Sequence, residues 1–306
     1  MRHVVISLLN FNGKKNTLDC LESLVNIRKD NLRVSIVIVD NASKEEFDLK
    51  SRVFKNMSPV VIRNNKNLGF SGGHNVSIKY SLENEADYVL ILNNDTYVDK
   101  DFLTELLKTA DKDKSIGILV PKIYFAPGSE FHKDRYSKEE IGKVLWYAGG
   151  EINWENVIGC NRGVDEVDRE QYDKVEETEL ATGCCMLIKK DVFERIGVFD
   201  DKYFLYYEDS DLSIRAKNKG FKIVYVPKSI IWHKNAGSAG GSGSVLQDYY
   251  ITRNRLLFGF KYAPIRSKLA LFKESLFLLF RGRPWQKRGI VDFYMSKFGR
   301  GSYNDF

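Results

Sequence analysis

The sequence is short of cysteine and has none at metal-binding spacing. Cys20, Cys160, Cys184 and Cys185 are its four cysteines and CxxC does not occur. The adjacent pair suits neither a disulfide framework nor a zinc site. In an apolar stretch such residues act as small buried hydrophobes, a usage that fits a reducing compartment. Long apolar runs are also missing. No stretch reaches the roughly 18 residues of a membrane span, and the best candidate, residues 269–280, is broken by Lys273 and Glu274. The opening MRHVVISLLNFNG lacks a small-residue cleavage site and reads as a β-strand rather than a signal peptide. Two phosphate-binding signatures are absent as well. The glycines of GFSGGH lack the GxGxxG spacing, and no GK[ST] follows them. No internal repeat is evident.

What is present is a core. The 306 residues are 43% hydrophobic, enough for one large domain or two modest ones, and this excludes global disorder. The net charge of +6 is unevenly spread. Residues 251–306 carry 12 Lys and Arg against 3 Asp and Glu, which leaves 35 against 38 in residues 1–250. The basic tail points to an anionic surface or partner. Arg281, Arg283, Lys287 and Arg288 flank Trp285 and follow LFLLF. That pattern suits an interfacial helix on a membrane, with a helical cap on the domain as the alternative. Only this tail would suggest nucleic acid, and no such partner is expected.

Along the chain, strands are expected at residues 3–9, 34–39, 59–62, 88–92 and 116–120. Helices are expected at about 14–27, after Ser43 (with Lys44, Glu45 and Glu46), after the Gly-rich loop NNKNLGFSGGHN, and at 99–112. This βα alternation implies a mostly parallel sheet with helices on both faces. The pattern loosens over residues 121–179, where the acidic run 165–179 reads as solvated surface. Order returns with a strand at 184–188, a short helix ending at Gly197, a helix at 209–219, and a strand at 223–226. IIWH and a flexible NAGSAGGSGS loop follow, and then a helical tail from about residue 245.

Three features could carry chemistry. YVLILNNDT is a run buried on both faces that ends in Asn93, Asn94 and Asp95. VSIVIV ends similarly at Asp40 and Asn41. In an open α/β sheet both carboxylates would face one crevice, together with the Gly72–Gly73 loop. YYEDSD places Glu208, Asp209 and Asp211 where a helix begins. The helix dipole explains acids there, and a general base is the other reading. His233 follows Trp232. A lone His beside Trp is usually structural, but a His and an Asp converging on one cleft could share a divalent ion.

The order VDNAS, NLGFSGGHN, NNDT, GxFD…YYEDSDLSIRAKNKG and WH resembles the family 2 glycosyltransferases of the GT-A fold, most of all the rhamnosyltransferase-type members that use dTDP- or UDP-sugars. The resemblance spans residues 4–254, and DYYITRNRLLF resembles the end of that group's catalytic domain. It implies a catalytic domain over residues 1–245, with a nucleotide-binding half (1–120) and an acceptor half (121–245), and a basic helical extension at 246–306. It implies that Asp40 contacts the donor base, and that Asn10, Asn12, Asn41, Asn67, Gly72, Gly73, Asn93 and Asn94 line the donor pocket. Asp95 stands at the metal-binding DxD position, whose first member is Asn93 here. Asp95 and His233 are then the implied ligands of Mg²⁺ or Mn²⁺. Asp209 matches the catalytic base, with Glu208 beside it and Asp211 and Trp232 supporting the acceptor side.

The implied reaction is inverting transfer to a glycan or lipid-linked saccharide in cell-surface polysaccharide synthesis. The implied location is cytoplasmic, on the inner face of the cell membrane. One base without a carboxylate nucleophile does not suit a glycosidase. The alternatives are a sugar-phosphate nucleotidylyltransferase, for which NFNGKKN after the first strand is a poor match, and an inactive nucleotide- or glycan-binding module.

Overall fold

The structure is a computed structural model and describes residues 1–45, 47, 57–234 and 244–303. Glu46, in the expected second helix, and most of the NAGSAGGSGS loop lie outside the described residues. The first part of the chain forms β1 (Arg2–Asn10), α1 (Lys14–Val25), β2 (Leu32–Asp40), β3 (Val60–Arg63), α2 (Gly69–Glu83), β4 (Tyr88–Asn93), β5 (Thr96–Val98), α3 (Phe102–Ala110) and β6 (Ile116–Phe125). The middle forms β7 (Leu145–Tyr147), β8 (Gly150–Asn153), β9 (Ile158–Asn161), β10 (Glu176–Glu177), β11 (Cys185–Lys189), α4 (Lys190–Ile196), α5 (Glu208–Asn218) and β12 (Lys222–His233). The tail forms α6 (Val245–Tyr262), α7 (Ile265–Arg281) and α8 (Pro284–Tyr294).

Ten strands make one sheet, ordered β10-β12-β6-β11-β4-β1-β2-β3, with β5 on β12 and β7 on β6. β1, β2, β3, β4, β6 and β12 run one way, and β5, β7, β10 and β11 run against them. The continuous apolar runs of β1, β2 and β4 follow from burial on both faces, where Ile6, Leu8, Val37, Ile38, Val39, Leu90 and Ile91 are essentially inaccessible. Helix α1 buries Thr17, Cys20, Leu21 and Leu24 on one face, the period-3.6 stripe of its sequence. Cys20, Cys184 and Cys185 are buried thiols, and burial pushes Cys20 up to about 12.

The sequence reading is corrected in several places. The expected strands at 116–120 and 223–226 are parts of longer ones. β6 runs on through Pro121, and β12 continues from Lys222 to His233 with its register shifted between Val226 and Ile230. Pro121 faces Val226 there and Pro227 follows, so the ladder slips where two residues have no N–H to give. The glycines of GFSGGH are helical and belong to α2. A Cβ on Gly73 would run into Leu9, so glycine lets α2 lie directly on β1. The acidic run is not all solvated: Asp168 and Asp173 hold the buried Lys122 ammonium, Asp168 at 2.7 Å and Asp173 at 2.5 Å.

The tail packs into the molecule. Leu256, Phe258, Leu271 and Ile290 join Ile152, Val157, Leu180 and Tyr203 in one apolar cluster. Trp285 packs edge-on against Tyr249 and tilted against Tyr303, with ring centres 5.9 and 5.2 Å away, and Arg283 pairs with Asp248. Through these contacts Arg283 and Trp285 fasten α8 to α6.

Candidate active site

Three parallel strand ends stand level. Asn10 lies opposite Asp40, and Leu9 opposite Asn93. The buried Asp40 accepts from Asn10 Nδ2 at 3.0 Å and from the Ser43 hydroxyl, and its other oxygen accepts from Arg63 Nη1 at 2.6 Å. Asn10 Oδ1 accepts from Thr17 Oγ1 at 3.0 Å, and Thr17 accepts from Asn94 Nδ2 at 2.8 Å. One hydrogen-bonded chain thus links the ends of β2, β1 and β4. Asn41 closes the loop before α2. It donates to Asn67 Oδ1 and the Gly69 carbonyl, and accepts from Asn64 Nδ2 and Leu68 N–H. Asn12 takes a left-handed turn (φ +55°) and accepts from Lys44 N–H at 2.8 Å. In the first turn of α2 the Gly69 N–H donates to Asn67 Oδ1, and the Phe70 and Ser71 N–H groups both point at the Phe204 carbonyl, at 2.7 and 3.3 Å. Gly72 is buried on the first turn, where a Cβ would sit 2.9 Å from Leu68 Cβ.

Asp95 and His233 converge, as the sequence suggested. His233 Nε2 lies 3.1 Å from Asp95 Oδ1, both residues being buried. Pairing of β5 with β12 brings them together, His233 facing Thr96. Trp146 packs edge-on against the imidazole, ring centres 4.8 Å apart. Trp232 points elsewhere, donating to the Gly142 carbonyl and lying against Tyr124. An oxygen and a nitrogen 3.1 Å apart match one edge of an octahedral site with bonds of about 2.1 Å. Among the described residues no three His, Cys, Asp or Glu side chains gather to hold an ion. Asp95 and His233 could therefore hold one only with oxygens from a ligand, as Mg²⁺ is held by one or two carboxylates plus phosphates.

Asp209 sits in the first turn of α5 and lines a hollow of about 210 Å³ with Tyr147, Thr182, Tyr206, Tyr207 and Ile251. Its oxygens accept from Gly183 N–H at 3.0 Å and Ser210 N–H at 2.7 Å. Burial pushes its carboxyl above the usual range while these N–H groups pull it back. The neighbouring Glu208 is more deeply enclosed. Burial first, then the Asp209 charge, pushes it well above the carboxylate range, and its Oε2 has no partner among the described residues. Asp211 is committed to Arg215 (2.6 Å), Lys261 (2.7 Å) and Tyr262 (2.7 Å). Burial would raise it, but these partners hold it below the ordinary value.

Residues 182–184 join the two regions. Gly183 N–H binds Asp209, and the Cys184 carbonyl accepts from Asn93 N–H at 2.9 Å. The short strand β7 joins them too, placing Trp146 against His233 and Tyr147 in the hollow of Asp209. Sequence reasoning passed over both aromatics, because WYAGG shows no periodicity to mark a strand. It also passed over Arg63, and over Asn254. That buried amide donates to the carbonyls of Tyr203, Leu205 and Tyr206, just before α5. Phe204, Tyr206 and Tyr207 all take positive φ there, and Asn254 braces the turn.

The family follows from comparison with known proteins. The sequence profile of glycosyl transferase family 2 matches residues 4–197, and the chain belongs to that family. It is 27% identical to the low-salt glycan biosynthesis hexosyltransferase Agl10 of Haloferax volcanii, over 72% of this chain and 66% of that one. It is 26% identical to an N-acetylglucosaminyl-diphospho-decaprenol L-rhamnosyltransferase of Mycobacterium tuberculosis, over 68% of each. The chain thus spans about two thirds of the length of these relatives. Among solved structures, GalNAc-T7 with UDP, GalNAc and Mn²⁺ superposes with a TM-score of 0.60 at 16% identity, over 97% of this chain and 57% of that one. TarS 1–349 of S. aureus in complex with UDP-GlcNAc gives 0.56 at 16% identity, over 97% and 81%. The fold is the expected GT-A fold, a mixed, mostly parallel sheet with C-terminal helices.

Proposed function

We propose that the chain is an inverting glycosyltransferase that moves a sugar from a nucleotide diphosphate sugar, dTDP-rhamnose or a UDP-hexose, to a hydroxyl of a glycan or lipid-linked acceptor. The observation that carries this is Asp209, a half-buried carboxylate in a hollow, joined through residues 182–184 to the strand end that bears Asp95. The names of the relatives support the class of donor and acceptor.

In this reading the acceptor hydroxyl sits against Asp209. Its oxygen attacks the anomeric carbon, the bond to the diphosphate breaks with its electron pair, and Asp209 takes the proton. A positioned general base is worth about 10²–10⁴-fold. Asp95 and His233 would hold Mg²⁺ or Mn²⁺, which as a Lewis acid supplies stabilisation of the leaving diphosphate. Asp40, with Arg63 beside it, and the Asn10, Asn12, Asn41, Asn67, Gly72, Gly73, Asn93 and Asn94 layer would position the nucleotide within residues 1–120. Residues 121–245 would take the acceptor, and residues 246–306 would form the extension. The product class would serve cell-surface polysaccharide, made at the cytoplasmic face of the membrane.

The test is nucleotide release from dTDP-rhamnose and UDP-hexoses with Mn²⁺ or Mg²⁺, run beside a thermal-shift screen of the same donors. Wild type is expected to turn over, and Asp209→Asn to lose at least about 10²-fold while keeping its thermal shift. Unchanged turnover removes Asp209 as the base. No shift with any nucleotide-sugar overturns the transferase reading.

A further inference from the structure

Helix α7 has two faces, and among the described residues only the inner one is covered. Ser267, Leu271 and Ser275 are buried against the molecule, and Glu274 pairs with Arg255 of α6 at 2.8 Å. The opposite face carries Ile265, Leu269, Phe272, Leu276 and Phe280, with Ile265 73% and Phe280 80% exposed. At about 100° per residue these five fall within one stripe, running the length of the helix. Arg266 and Lys273 border it on one side and Lys268 on the other, with the exposed Phe277 and then Arg281 beyond the first pair. Among the described residues the ion pairs of the tail use Arg255, Lys261, Arg283 and Arg288 and none of the four cations around the stripe, of which Arg266, Lys273 and Arg281 are exposed and Lys268 is half-buried. A soluble surface rarely exposes so continuous an apolar patch without a use for it.

We infer that the outer face of α7 is a membrane-contact surface that lies in the headgroup region of an anionic bilayer. An apolar stripe bordered by Lys and Arg is the pattern of a helix lying in that plane, the apolar side chains entering the acyl boundary and the cations meeting lipid phosphates. The helix has 17 residues and five charges, and no helix among the described residues is long and apolar enough to cross a membrane. Charge favours a bilayer over a second copy of the chain, because two such faces would bring their basic borders together.

The inference deepens the proposed function and rests on it only for its consequence. Helix α7 packs on α6, and α6 presents Ile251 to the hollow that Asp209 lines. A lipid-linked acceptor held in the same bilayer would then need to reach only one helix inward.

The test is co-sedimentation of the full chain with vesicles of phosphatidylcholine alone and of phosphatidylcholine with phosphatidylglycerol. The expected result is binding to the anionic vesicles at low salt. Lys268→Glu with Lys273→Glu should weaken it by at least about tenfold. Phe272→Ser with Phe280→Ser should abolish it while leaving the melting temperature and nucleotide-sugar shift unchanged, since both side chains are solvent-exposed. Absence of binding to anionic vesicles at low salt overturns the inference. So does a concentration-dependent dimer that Phe272→Ser with Phe280→Ser dissolves, if vesicles are ignored. Vesicle binding by a chain that shifts with no nucleotide-sugar keeps the surface and sinks the transferase reading. A donor shift without vesicle binding does the reverse.

Discussion

Asn254 donates a hydrogen bond to the carbonyl of Tyr206 at 2.9 Å, one residue before the left-handed cap of the helix that carries Asp209. The same amide reaches the Tyr203 and Leu205 carbonyls at 2.8 Å, and Arg253 beside it binds the Lys202 and Tyr203 carbonyls. Residues with positive φ are held only where surroundings over-determine them. We predict that Asn254→Ala lowers stability by about 1–3 kcal/mol, the cost of buried carbonyls left without donors. Turnover should fall by at least about tenfold through misplacement of Asp209, with the nucleotide-sugar thermal shift retained. Urea unfolding and steady-state kinetics check both. An unchanged kcat would mean that the turn holds Asp209 without help from α6.

Glu208 should make the protein less stable as pH rises through a defined window. Its folded pKa lies well above the ordinary 4.5, chiefly because burial disfavours the charge. Between the unfolded value and the raised folded value the native state binds more protons, so stability falls with pH by up to about 1.4 kcal/mol per unit. Glu208→Gln should remove that slope and leave neutral-pH stability equal or higher. Denaturant unfolding from pH 4 upward (about the unfolded carboxylate value) checks it. An unchanged slope assigns the effect to another group.

The pH dependence of turnover reports on Asp209 in the opposite sense. A base must be ionised, so kcat rises as pH passes its pKa. Burial raises Asp209 above 3.8, so the acid limb of kcat at saturating donor should lie above that value. A limb at or below the ordinary Asp value would place the base elsewhere.

Much of this was legible because a buried parallel strand writes itself plainly. VSIVIV and YVLIL have no polar break, so the strand ends and their acids could be placed by residue number. The motif residues were legible as a pattern but not by role. In NLGFSGGHN, Gly69 and Gly73 serve close packing, His74 bonds Ser7 in the core, and Asn75 ties α2 to Phe199 through both its N–H and carbonyl groups. The antiparallel insertion of β11 between β4 and β6 was not legible, because strand order depends on long-range pairing that no local period encodes. Trp146, Tyr147 and Asn254 received no role for the same reason, since each matters through partners 30 to 90 residues away.

Gly69 cannot accept a side chain without moving backbone. Its φ is +73°, and an added Cβ would collide with the Phe204 carbonyl and ring. That carbonyl receives the N–H groups of Phe70 and Ser71, the next two residues of α2, so Gly69 is where α2 meets the turn before Asp209. Gly69→Ala is expected to cost about 1–3 kcal/mol in strain and to reduce turnover more than Gly128→Ala, which shares a positive φ but has open space around it. Comparing the two variants separates collision from backbone strain. Equal losses would leave strain alone as the cause.

His233 and Asp95 provide the last test, because their pairing admits two explanations. The contact of 3.1 Å fits a structural hydrogen bond holding β5 to β12, and it also fits a pair of ligands for one cation. The two differ in what His233→Ala should do. A structural bond would be lost in the free protein, lowering its stability by the cost of one buried hydrogen bond, about 1 kcal/mol. A ligand pair predicts little change without metal, but a weaker response to Mn²⁺ in the presence of nucleoside diphosphate. The variant should need at least about tenfold more Mn²⁺, the scale on which even the loss of a hydrogen bond to a ligand weakens a metal site. Asp95→Asn should lose the response altogether, since it removes the one carboxylate of the pair. Mn²⁺ titration followed by electron paramagnetic resonance reads occupancy directly, without relying on turnover. Identical Mn²⁺ titrations for wild type and both variants would show that this pair does not hold the ion.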